Sequence, residues 1–351
     1  MDKDVRILIT GNLGYVGPCL CQFLRKKYPA AYIAGYDLGY FQDCLTAAQP
    51  SAESLVDTQI YGDVRNFDKE ILKEFDHVVH LAAISNDPIG KQFEQVTLDV
   101  NFKATVDIAK KAVEMGTKSF VFASSCSVYG EGGGEVKTEK SPVNPLTAYA
   151  RSKVMAERAI EEMSRGNTLF TCLRFATACG MSDRLRLDLV LNDFVASALT
   201  TGKINILSDG TPWRPLINVN DMARAIDWAL FRPREAGGEV LICNTGSNEW
   251  NFTVKDLAYN VQSEFPDVEV MINKSAAPDK RSYRVNFDLF SSYANGACPA
   301  SDIKSTIVEM KAGLKNLNFH DKNFRGSNLM RLNVLDNLLE KKRLDQQLVW
   351  L

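Results

Sequence analysis

The sequence is poor in the residues that build metal sites. Its 351 residues include three histidines, and its eight cysteines form neither a CxxC pair nor a cluster with histidine. Zinc sites need such ligands at short spacings, so no metal site is predicted. The cysteines fit buried thiols of a reducing compartment, where a thiol acts as a small apolar side chain.

The sequence also lacks a strong charge and a long apolar run. Its net charge of −2 gives no field that would attract nucleic acid or an anionic membrane. No stretch reaches the ~20 apolar residues that span a bilayer, and the first residues, MDKDVRILIT, show no basic and apolar leader pattern. We therefore expect a cytoplasmic protein with neither a nucleic-acid nor a membrane partner.

The sequence does contain short β-branched runs that alternate with longer amphipathic stretches. With 45% hydrophobic and 24% charged residues, its composition is that of a globular protein. The alternation predicts an α/β fold, a doubly wound parallel sheet with crossover helices. The candidate strands are Val5–Thr10, Ala31–Asp37, Ile60–Gly62, His77–Ala83, Phe120–Ser125 and Thr171–Phe175.

The alternation weakens after about residue 180, which predicts two domains. The first is expected to cover residues 1–180, with residues 214–232 returning to it. The second, a smaller mixed α/β domain, is expected to cover residues 181–351. Helical patterns at Asp188–Thr200 and Val254–Phe265 dominate this second domain.

Two further segments have patterns of their own. The sequence EGGGE at Glu131–Glu135 is typical of a flexible loop. The charged, amphipathic stretch Asn328–Leu351 predicts a surface helix that packs on the second domain.

The first candidate strand continues into a glycine turn, TGNLGYVG, before an apolar-periodic helix. Gly11, Gly14 and Gly17 permit a tight turn, allow a pyrophosphate to approach bare main chain and let the helix pack on the strand. The N–H groups at the start of the helix would face the anion. The spacing GxxGxxG differs from the GxGxxG of ordinary dinucleotide dehydrogenases, and a purely structural turn is the alternative.

Acidic residues end the next two strands. Asp37 closes the run AAYIAGYD, where its carboxylate can accept hydrogen bonds from adenosine ribose hydroxyls and would repel a 2′-phosphate. The sequence therefore favours NAD over NADP, and a polar strand end is the alternative. Asp63 and Val64, in YGDVR, fall at the same edge of the sheet and are consistent with an adenine contact.

A serine, a tyrosine and a lysine form the candidate catalytic set. Ser124 and Ser125 end the fifth strand, and Tyr149 and Lys153 lie one turn apart on the following helix. The lysine ammonium is expected to lower the phenol pKa, which is ordinarily about 10. Tyr149 would then take a proton from a substrate hydroxyl while the adjoining carbon gives a hydride to the cofactor. A helix pair without a catalytic role is the alternative.

Taken in order, the segments TGNLGYVG, Asp37, DV, HLAA, SSCSVYG and YARSK resemble the extended short-chain dehydrogenase/reductase family, in its NAD-dependent nucleotide-sugar epimerase/dehydratase branch. The resemblance covers residues 5–180 and continues more thinly through GTPWRPLINVND and PDKRSY. It implies a Rossmann-type domain that binds NAD and a second domain that binds a nucleotide-diphosphate sugar.

The resemblance also implies roles for individual residues. Ser125, Tyr149 and Lys153 would be catalytic, and Lys153 would also contact the nicotinamide ribose. Asn101 would support the active site, and the helices of Asn101 and Tyr149 would form a four-helix bundle with a second copy in a homodimer. The implied NAD site comprises Gly11, Gly14, Tyr15, Val16, Gly17, Asp37, Asp63, Val64, Leu81, Ala82, Ala83, Asn101, Ser124 and Lys153.

On the substrate side, Arg214 and Arg281 look like the family's arginines that hold the nucleotide diphosphate, a role that suits a forked guanidinium. Surface ion pairs are the alternative for both. The other implied substrate contacts are Ser85, Asn86, Asp87, Ser125, Tyr149 and Thr177.

The sequence departs from the family pattern beside the catalytic serine. The 4,6-dehydratases of the family have an Asp-Glu pair there, whereas this chain has Cys126 and Ser127. Neither side chain replaces a carboxylate, so dehydration is disfavoured. Thr177 stands where many relatives have Asn, and Asn218 replaces a frequent His.

Three functions follow from these residues. The leading hypothesis is a nucleotide-sugar 4-epimerase that works through a transient 4-keto sugar and consumes no NAD. The alternative is a nucleotide-sugar 4-ketoreductase or 4-dehydrogenase, which exchanges its cofactor in each cycle. A protein that senses NAD without chemistry is the third, although such proteins usually lose the Tyr or Lys that this chain keeps.

Overall fold

Short, largely apolar runs form the strands of the protein, and the computed structural model describes residues 5–46, 51–276, 279 and 281–351. Pro278 and Lys280 of the PDKRSY segment lie outside these residues. The strands are β1 (Arg6–Thr10), β2 (Tyr32–Asp37), β3 (Thr58–Tyr61), β4 (His77–His80), β5 (Ser119–Ser125), β6 (Glu131–Lys137), β7 (Leu169–Phe175), β8 (Thr177–Cys179), β9 (Lys203–Ile206), β10 (Trp213–Asn218), β11 (Val240–Thr245), β12 (Asn251–Thr253), β13 (Glu269–Ile272) and β14 (Ser282–Val285).

Seven of these strands form one sheet in the order β11-β7-β5-β4-β1-β2-β3, and every pair in it is parallel. The α/β, Rossmann-type fold expected from the sequence is confirmed. The strand expected at His77–Ala83 ends at His80, so Leu81, Ala82 and Ala83 follow it as loop. The strand order changes direction between β1 and β4, and such a point opens a crevice at the carboxyl ends of the strands.

Amphipathic helices cover both faces of the sheet. The helices are α1 (Val16–Lys27), α2 (Ala52–Leu55), α3 (Asp87–Gln92), α4 (Glu94–Leu98), α5 (Thr105–Glu114), α6 (Ala148–Glu162), α7 (Val190–Thr201), α8 (Val219–Phe231), α9 (Val254–Glu264), α10 (Asp288–Tyr293), α11 (Ile303–Asn316) and α12 (Arg331–Glu340). A π-helical stretch at Asp99–Ala104 joins α4 to α5. In the described part of the chain, no helix is both long and apolar enough to cross a bilayer.

The later part of the chain is interleaved with the central sheet. Helix α8, within the stretch 214–232, packs against α1 on the first domain. Strand β11 forms an edge of the large sheet although it falls within 181–351. Helices α7, α9 and α11 pack together around a second apolar cluster that includes Leu191, Leu257 and Met310. The proposed division at residue 180 stays a prediction.

The glycine-rich segment Glu131–Glu135 is a strand and not a flexible loop, so that expectation is wrong. It begins β6, which pairs in parallel with β14. A Cβ on Gly132 would lie 2.7 Å from the main-chain oxygen of Ser282. The absence of a side chain at Gly132 therefore lets β14 approach closely, whereas Gly133 and Gly134 face open space at an irregularity of the pairing.

The C-terminal stretch forms α12 and a short hairpin, and it packs mainly on the first domain. Its buried side chains Leu335, Leu344 and Leu348 form one apolar cluster with Ile89 and Phe93. Only its first residues, near Leu329, join the cluster of the second domain. The expected docking on the second domain is therefore wrong for α12 and the hairpin.

A buried histidine links the two strands that flank the crevice. His80, at the end of β4, has Nδ1 2.8 Å from the hydroxyl of Thr10 on β1 and Nε2 3.0 Å from the hydroxyl of Thr105. Burial lowers the pKa of His80 to about 3. Both ring nitrogens thus have partners, and the imidazole stays neutral in the folded protein at ordinary pH.

This burial predicts a loss of stability in mild acid. The unfolded chain gains a proton on His80 near pH 6.5 and the folded chain does not, so the free energy of unfolding falls by about 1.4 kcal/mol per pH unit below that point. In urea unfolding between pH 7.5 and 4.5, the difference between the wild type and His80→Gln should shrink toward acid pH. The exposed His320→Gln serves as control, and an unchanged difference for His80→Gln would contradict the prediction.

Candidate active site

One cavity of about 950 Å³ lies at the carboxyl edge of the large sheet, where β1 and β4 part. It brings together most residues that the sequence singles out. Those that line it are Gly11, Gly14, Tyr15, Val16, Asp37, Asp63, Val64, Leu81, Ala82, Ala83, Ser85, Asn86, Asp87, Ser124, Ser125, Tyr149, Lys153, Thr177, Arg214 and Arg281. Gly17 and Asn101 do not line the cavity.

The glycine turn has the shape that a bound pyrophosphate requires. Gly11 has φ of +77°, and a Cβ there would lie 2.5 Å from the main-chain nitrogen of Ala82. A Cβ on Gly17 would lie 2.1 Å from the main-chain oxygen of Asn12, so Gly17 lets α1 start directly against the turn. The cradle and the N-terminus of the twelve-residue helix α1 therefore fit a dinucleotide.

The carboxylate of Asp37 is positioned by main-chain N–H groups at the end of β2. It accepts hydrogen bonds from Leu13 at 3.1 Å and from Gly39 at 2.8 Å. Burial raises the pKa of this carboxyl, and the main-chain donors act in the opposite direction. A carboxylate can accept further hydrogen bonds, so Asp37 fits the ribose contact expected of it.

The other acidic residue of this edge is already paired within the protein. Asp63 accepts hydrogen bonds from the main-chain N–H and the guanidinium of Arg65. Its side chain is therefore engaged, and Val64 presents the apolar surface at this point of the cavity. The sequence YGDVR alone does not predict this ion pair.

Ser125, Tyr149 and Lys153 converge at the cavity from β5 and α6. Thr147 caps α6 by accepting a hydrogen bond from Ala150 N, so Tyr149 and Lys153 lie in its first turns. The Lys153 ammonium donates to Ala123 O at 2.7 Å and lies 5.6 Å from the centre of the Tyr149 ring. Helix α6 thus holds both groups beside the end of β5.

The protein alone does not make the Tyr149 phenol more acidic. Burial in the cavity raises its pKa to about 12, and the nearby Ser125 hydroxyl only partly opposes this effect. The expected lowering by Lys153 is therefore not found: desolvation of the phenolate is the largest effect, and Lys153 is not among the groups that shift this pKa. The phenol is therefore protonated at neutral pH.

Burial acts on Lys153 in the opposite sense. It lowers the pKa of the ammonium to about 7, although the carboxylate of Glu157 one turn further on favours the charged form. Close to neutrality the amine can therefore take or release a proton. Such a shift is frequent at catalytic lysines, although structural burial also produces it.

A buried network fixes the end of β5 behind these groups. The Ser124 hydroxyl donates to Glu157 at 2.5 Å, and the Arg174 guanidinium binds the same carboxylate at 2.7 Å. Arg174 also reaches the hydroxyl of Tyr129 at 3.0 Å. Ser124 lines the cavity, but its hydroxyl is committed to this network.

Asn101 acts on the site through the loop after β4. Its side-chain oxygen accepts from Ile84 N at 2.8 Å, and its side-chain nitrogen donates to Ile84 O at 2.9 Å. Asn101 is fully buried and holds the loop that carries Ser85 and Asn86. This position agrees with a supporting role, and Asn101 does not line the cavity in which the cofactor is expected.

The structure adds an arginine that sequence analysis missed. Arg186 is buried, lines the cavity and pairs with Asp188 at 2.9 Å. It donates to Ser85 at 3.0 Å, while Asn86 donates to Asp188 at 2.7 Å. The segment RLRLD alternates charged and apolar residues, which is also typical of an exposed strand, so only the tertiary structure identifies this pair.

The two arginines expected to hold a diphosphate face the cavity in ion pairs. Arg214 binds Asp279 at 2.8 Å, and Arg281 binds Asp279 at 2.8 Å and Asp87 at 2.7 Å. The Arg281–Asp87 pair joins the residue before β14 to the start of α3. A diphosphate would have to compete with these carboxylates.

Ser127 is a second residue that the sequence did not select. It lines the cavity next to Ser125, and its hydroxyl is buried without a protein hydrogen-bond partner in the described structure. Its main-chain N–H donates to the Ser125 hydroxyl at 3.1 Å. An unpaired buried hydroxyl at this position is available to a ligand.

The glycine cradle gives a direct prediction. Gly11→Ala would add both an unfavourable positive φ and a clash with the main chain of Ala82. Gly116→Ala is the matched control, because Gly116 has φ of +76° with open space around it. The control should lose about 1 kcal/mol of unfolding free energy. Gly11→Ala should lose more unfolding free energy and should also bind less dinucleotide. The predicted clash would be contradicted if both variants lost the same unfolding free energy in urea and Gly11→Ala kept its dinucleotide.

Comparisons with known proteins agree with this geometry. The model of the NAD dependent epimerase/dehydratase family matches residues 7–244. A UDP-glucose 4-epimerase of Corynebacterium glutamicum is 28% identical over 273 residues, which are 72% of this chain and 78% of that protein. A UDP-glucose 4-epimerase of Vibrio cholerae is 33% identical over 172 residues, 46% of this chain and 48% of that protein.

Solved structures share the fold over nearly the whole chain. An NAD-dependent NDP-hexosamine 5,6-dehydratase of tunicamycin biosynthesis is 22% identical, has a TM-score of 0.75 and is matched over 99% of its length by 91% of this chain. The UDP-glucuronic acid 4-epimerase of Bacillus cereus, in complex with UDP-glucuronic acid and NAD, is 21% identical with a TM-score of 0.72. That match covers 89% of this chain and 100% of the epimerase.

Proposed function

Because the chain belongs to the NAD-dependent epimerase/dehydratase family, we propose that it is a nucleotide-sugar 4-epimerase that works through a transient 4-keto sugar. The observation that carries this proposal is the convergence of Ser125, Tyr149 and Lys153 on the cavity that holds the glycine turn. The relatives that act on UDP-hexoses make such a sugar nucleotide the first substrate to test.

The residues of the chain suit proton transfer at one hydroxyl of the sugar. Tyr149 would take the proton of the 4-hydroxyl and later return it, and Ser125 would hold the same oxygen by a hydrogen bond. NAD, when bound, supplies the reversible acceptance of a hydride from the sugar carbon. Hydride and proton leave the sugar together and both return, so no net oxidation occurs.

Lys153 supplies the charge that this proton transfer needs. Burial raises the pKa of the Tyr149 phenol to about 12 and lowers the pKa of Lys153 to about 7. A protonated Lys153 favours the phenolate, and an anionic ligand in the cavity favours protonated Lys153. Basicity of the site is therefore expected only when its ligands are present.

The residues after Ser125 argue against loss of water from the sugar. Cys126 is buried and its thiol donates to Arg174 O at 3.0 Å, and burial raises its pKa. Ser127 offers a hydroxyl where the dehydratases that resemble this chain have a carboxylate. Neither group can deliver and remove protons at a second carbon of the sugar in the way that a carboxylate pair does.

The 4-ketoreductase or 4-dehydrogenase remains the second candidate. It would use the same Ser125, Tyr149 and Lys153, and it differs only in exchanging its cofactor in each cycle. The position of Asp37 favours the unphosphorylated dinucleotide, which biosynthetic reductases use less often than NADP. A protein that senses NAD without chemistry would not need the Tyr149–Lys153 pair.

The nucleotide diphosphate is assigned to Arg214 and Arg281, in exchange for their contacts with Asp279 and Asp87. Thr177, Ser85 and Asn86 would then border the sugar.

We also place the protein in the cytoplasm. The free cysteines of the described chain, all but Cys298 buried, suit a reducing compartment.

A substitution of the phenol tests the function. Tyr149→Phe should lower kcat by about 10²-fold to 10⁴-fold, because the sugar hydroxyl loses its proton acceptor, and the exposed Tyr259→Phe should leave kcat unchanged. The assay follows C4 inversion of UDP-hexoses by NMR, with deuterium at C4 of the substrate. Retention of that deuterium in product, without free NADH, is expected. Release of NADH would support the dehydrogenase, and full activity of Tyr149→Phe would contradict both.

The homodimer is tested through the exposed face of α6. Met155 is 39% exposed on that helix, and Leu317 is equally exposed, at 38%, beyond the end of α11. Light scattering should give twice the 39.1 kDa mass of the chain for the wild type and for Leu317→Glu. Met155→Glu should give the single-chain mass, because it would bury a charge in the bundle. A dimeric Met155→Glu would place the interface elsewhere.

A further inference from the structure

The C-terminal segment, residues 328–351, brings a buried arginine to the main cavity. Arg331 is the first residue of α12, is 2% exposed and lines the same cavity as the glycine turn and Asp37. The family model ends at residue 244, far before this segment. No motif in the sequence selects Arg331.

Arg331 forms no salt bridge in the described structure, and the carboxylate that favours its charged form, that of Asp188, is bound by Arg186. Its guanidinium donates to Arg184 O at 2.7 Å and, more weakly, to Asn328 O at 3.5 Å, and it lies 4.7 Å from the centre of the Phe41 ring. A guanidinium has five N–H donors, so most of them need another acceptor. Burial lowers the pKa of Arg331 to about 10, which leaves it protonated at neutral pH.

The neighbouring arginines differ from Arg331 in this respect. Arg184 pairs with Glu53, and Arg186 pairs with Asp188. Arg331 is therefore the member of this group that forms no ion pair of its own in the described structure, since Asp188 already pairs with Arg186. A buried charge is costly unless it is paired, which indicates that an anion occupies this part of the cavity when the protein functions.

We propose that Arg331 binds the pyrophosphate of NAD and that the C-terminal segment holds the dinucleotide in place. This inference rests on the proposed use of NAD. Two diphosphates would enter the cavity, that of the dinucleotide and that of the sugar nucleotide. Arg331 stacks on Phe41, in the loop that follows Asp37, whereas Arg214 and Arg281 belong to the substrate side. The position of Arg331 therefore favours the dinucleotide.

Main-chain contacts tie the segment to the adenosine end of the site. Trp350 Nε1 donates to Leu38 O at 2.8 Å, Arg65 donates to Gln347 O at 2.6 Å, and the Tyr40 hydroxyl donates to Leu348 O. These three anchors follow the ends of β2 and β3, the strands that carry Asp37 and lead to Asp63. The segment thus closes over the edge where adenosine is expected.

The apolar side of the segment adds to this closure. Leu335, Leu344 and Leu348 are buried against Ile84 and Ile89, which belong to the loop and helix after β4. The segment therefore links the ends of β2, β3 and β4, the three strands around the predicted dinucleotide. A ligand held beneath it is expected to be retained by the segment, as suits an enzyme that regenerates its own NAD.

Removal of the guanidinium is the first test. Arg331→Met should weaken NAD binding to the apoprotein by about tenfold or more, Arg331→Lys should lose less, and Lys341→Met should not differ from the wild type. Lys341 is the control because it is an exposed cation at the end of the same helix. The measurement is calorimetric titration with NAD and, separately, with UDP as probe for the substrate site.

The two titrations identify the ligand. Weaker NAD binding with unchanged UDP binding supports the proposal. Weaker UDP binding with unchanged NAD binding would assign Arg331 to the sugar nucleotide, and no change in either would leave it without a ligand role; both results overturn the proposal. Neither titration involves turnover, so a protein that binds NAD in this way and epimerises nothing would refute the function alone.

Hydrogen exchange of the wild-type protein provides a test that does not depend on a folded variant. NAD should slow amide exchange in residues 328–351, because the ligand holds the segment against the ends of β2 and β3, whereas UDP alone should not. Equal exchange with and without NAD would overturn the inference even if Arg331→Met fails to fold.

Discussion

The close approach of two main-chain segments, the turn after β1 and the loop after β4, determines where chemistry can occur in this protein. At Gly11 there is no room for a Cβ, because Ala82 N would lie 2.5 Å from it. The contact holds the strands on both sides of the switch point together at their carboxyl ends, with His80 bonded to both β1 and the following helices. The main chain thereby forms a surface for an anion, and the side chains of β2, β5 and α6 are arranged around it.

Two buried, positively charged side chains, Lys153 and Arg331, also line the cavity. Lys153 and Arg331 are both nearly inaccessible, and burial lowers the pKa of each, to about 7 and about 10. Neither is neutralised by a salt bridge in the described chain. An anion that entered the cavity would stabilise both charged forms, and a protonated Lys153 would in turn favour the phenolate of Tyr149. Binding and basicity are thus coupled through the same low-dielectric environment.

The fold, and the placement of the expected cofactor residues around one cavity, can be predicted from the sequence because local patterns encode them. Alternation of apolar runs predicted the parallel sheet, and Gly11, Asp37, Tyr149 and Lys153 belong to motifs whose spacing has a physical reason. The pKa of Tyr149 was predicted with the wrong sign, since pairing with a lysine can be inferred from spacing but desolvation depends on everything that encloses the phenol. Arg186 and Ser127 were missed for the same reason, because their access to the cavity is a tertiary property.

The packing position of the C-terminal segment could not be predicted from the sequence. Its amphipathic pattern correctly indicates a helix, but the apolar side chains Leu335 and Leu348 indicate only that they are buried and not which surface buries them. What selects the first domain are polar contacts at the ends of strands, such as Trp350 with Leu38 and Arg65 with Gln347, whose partners lie about three hundred residues apart in sequence. The same segment carries Arg331, so a residue beyond the matched family region lines the cavity.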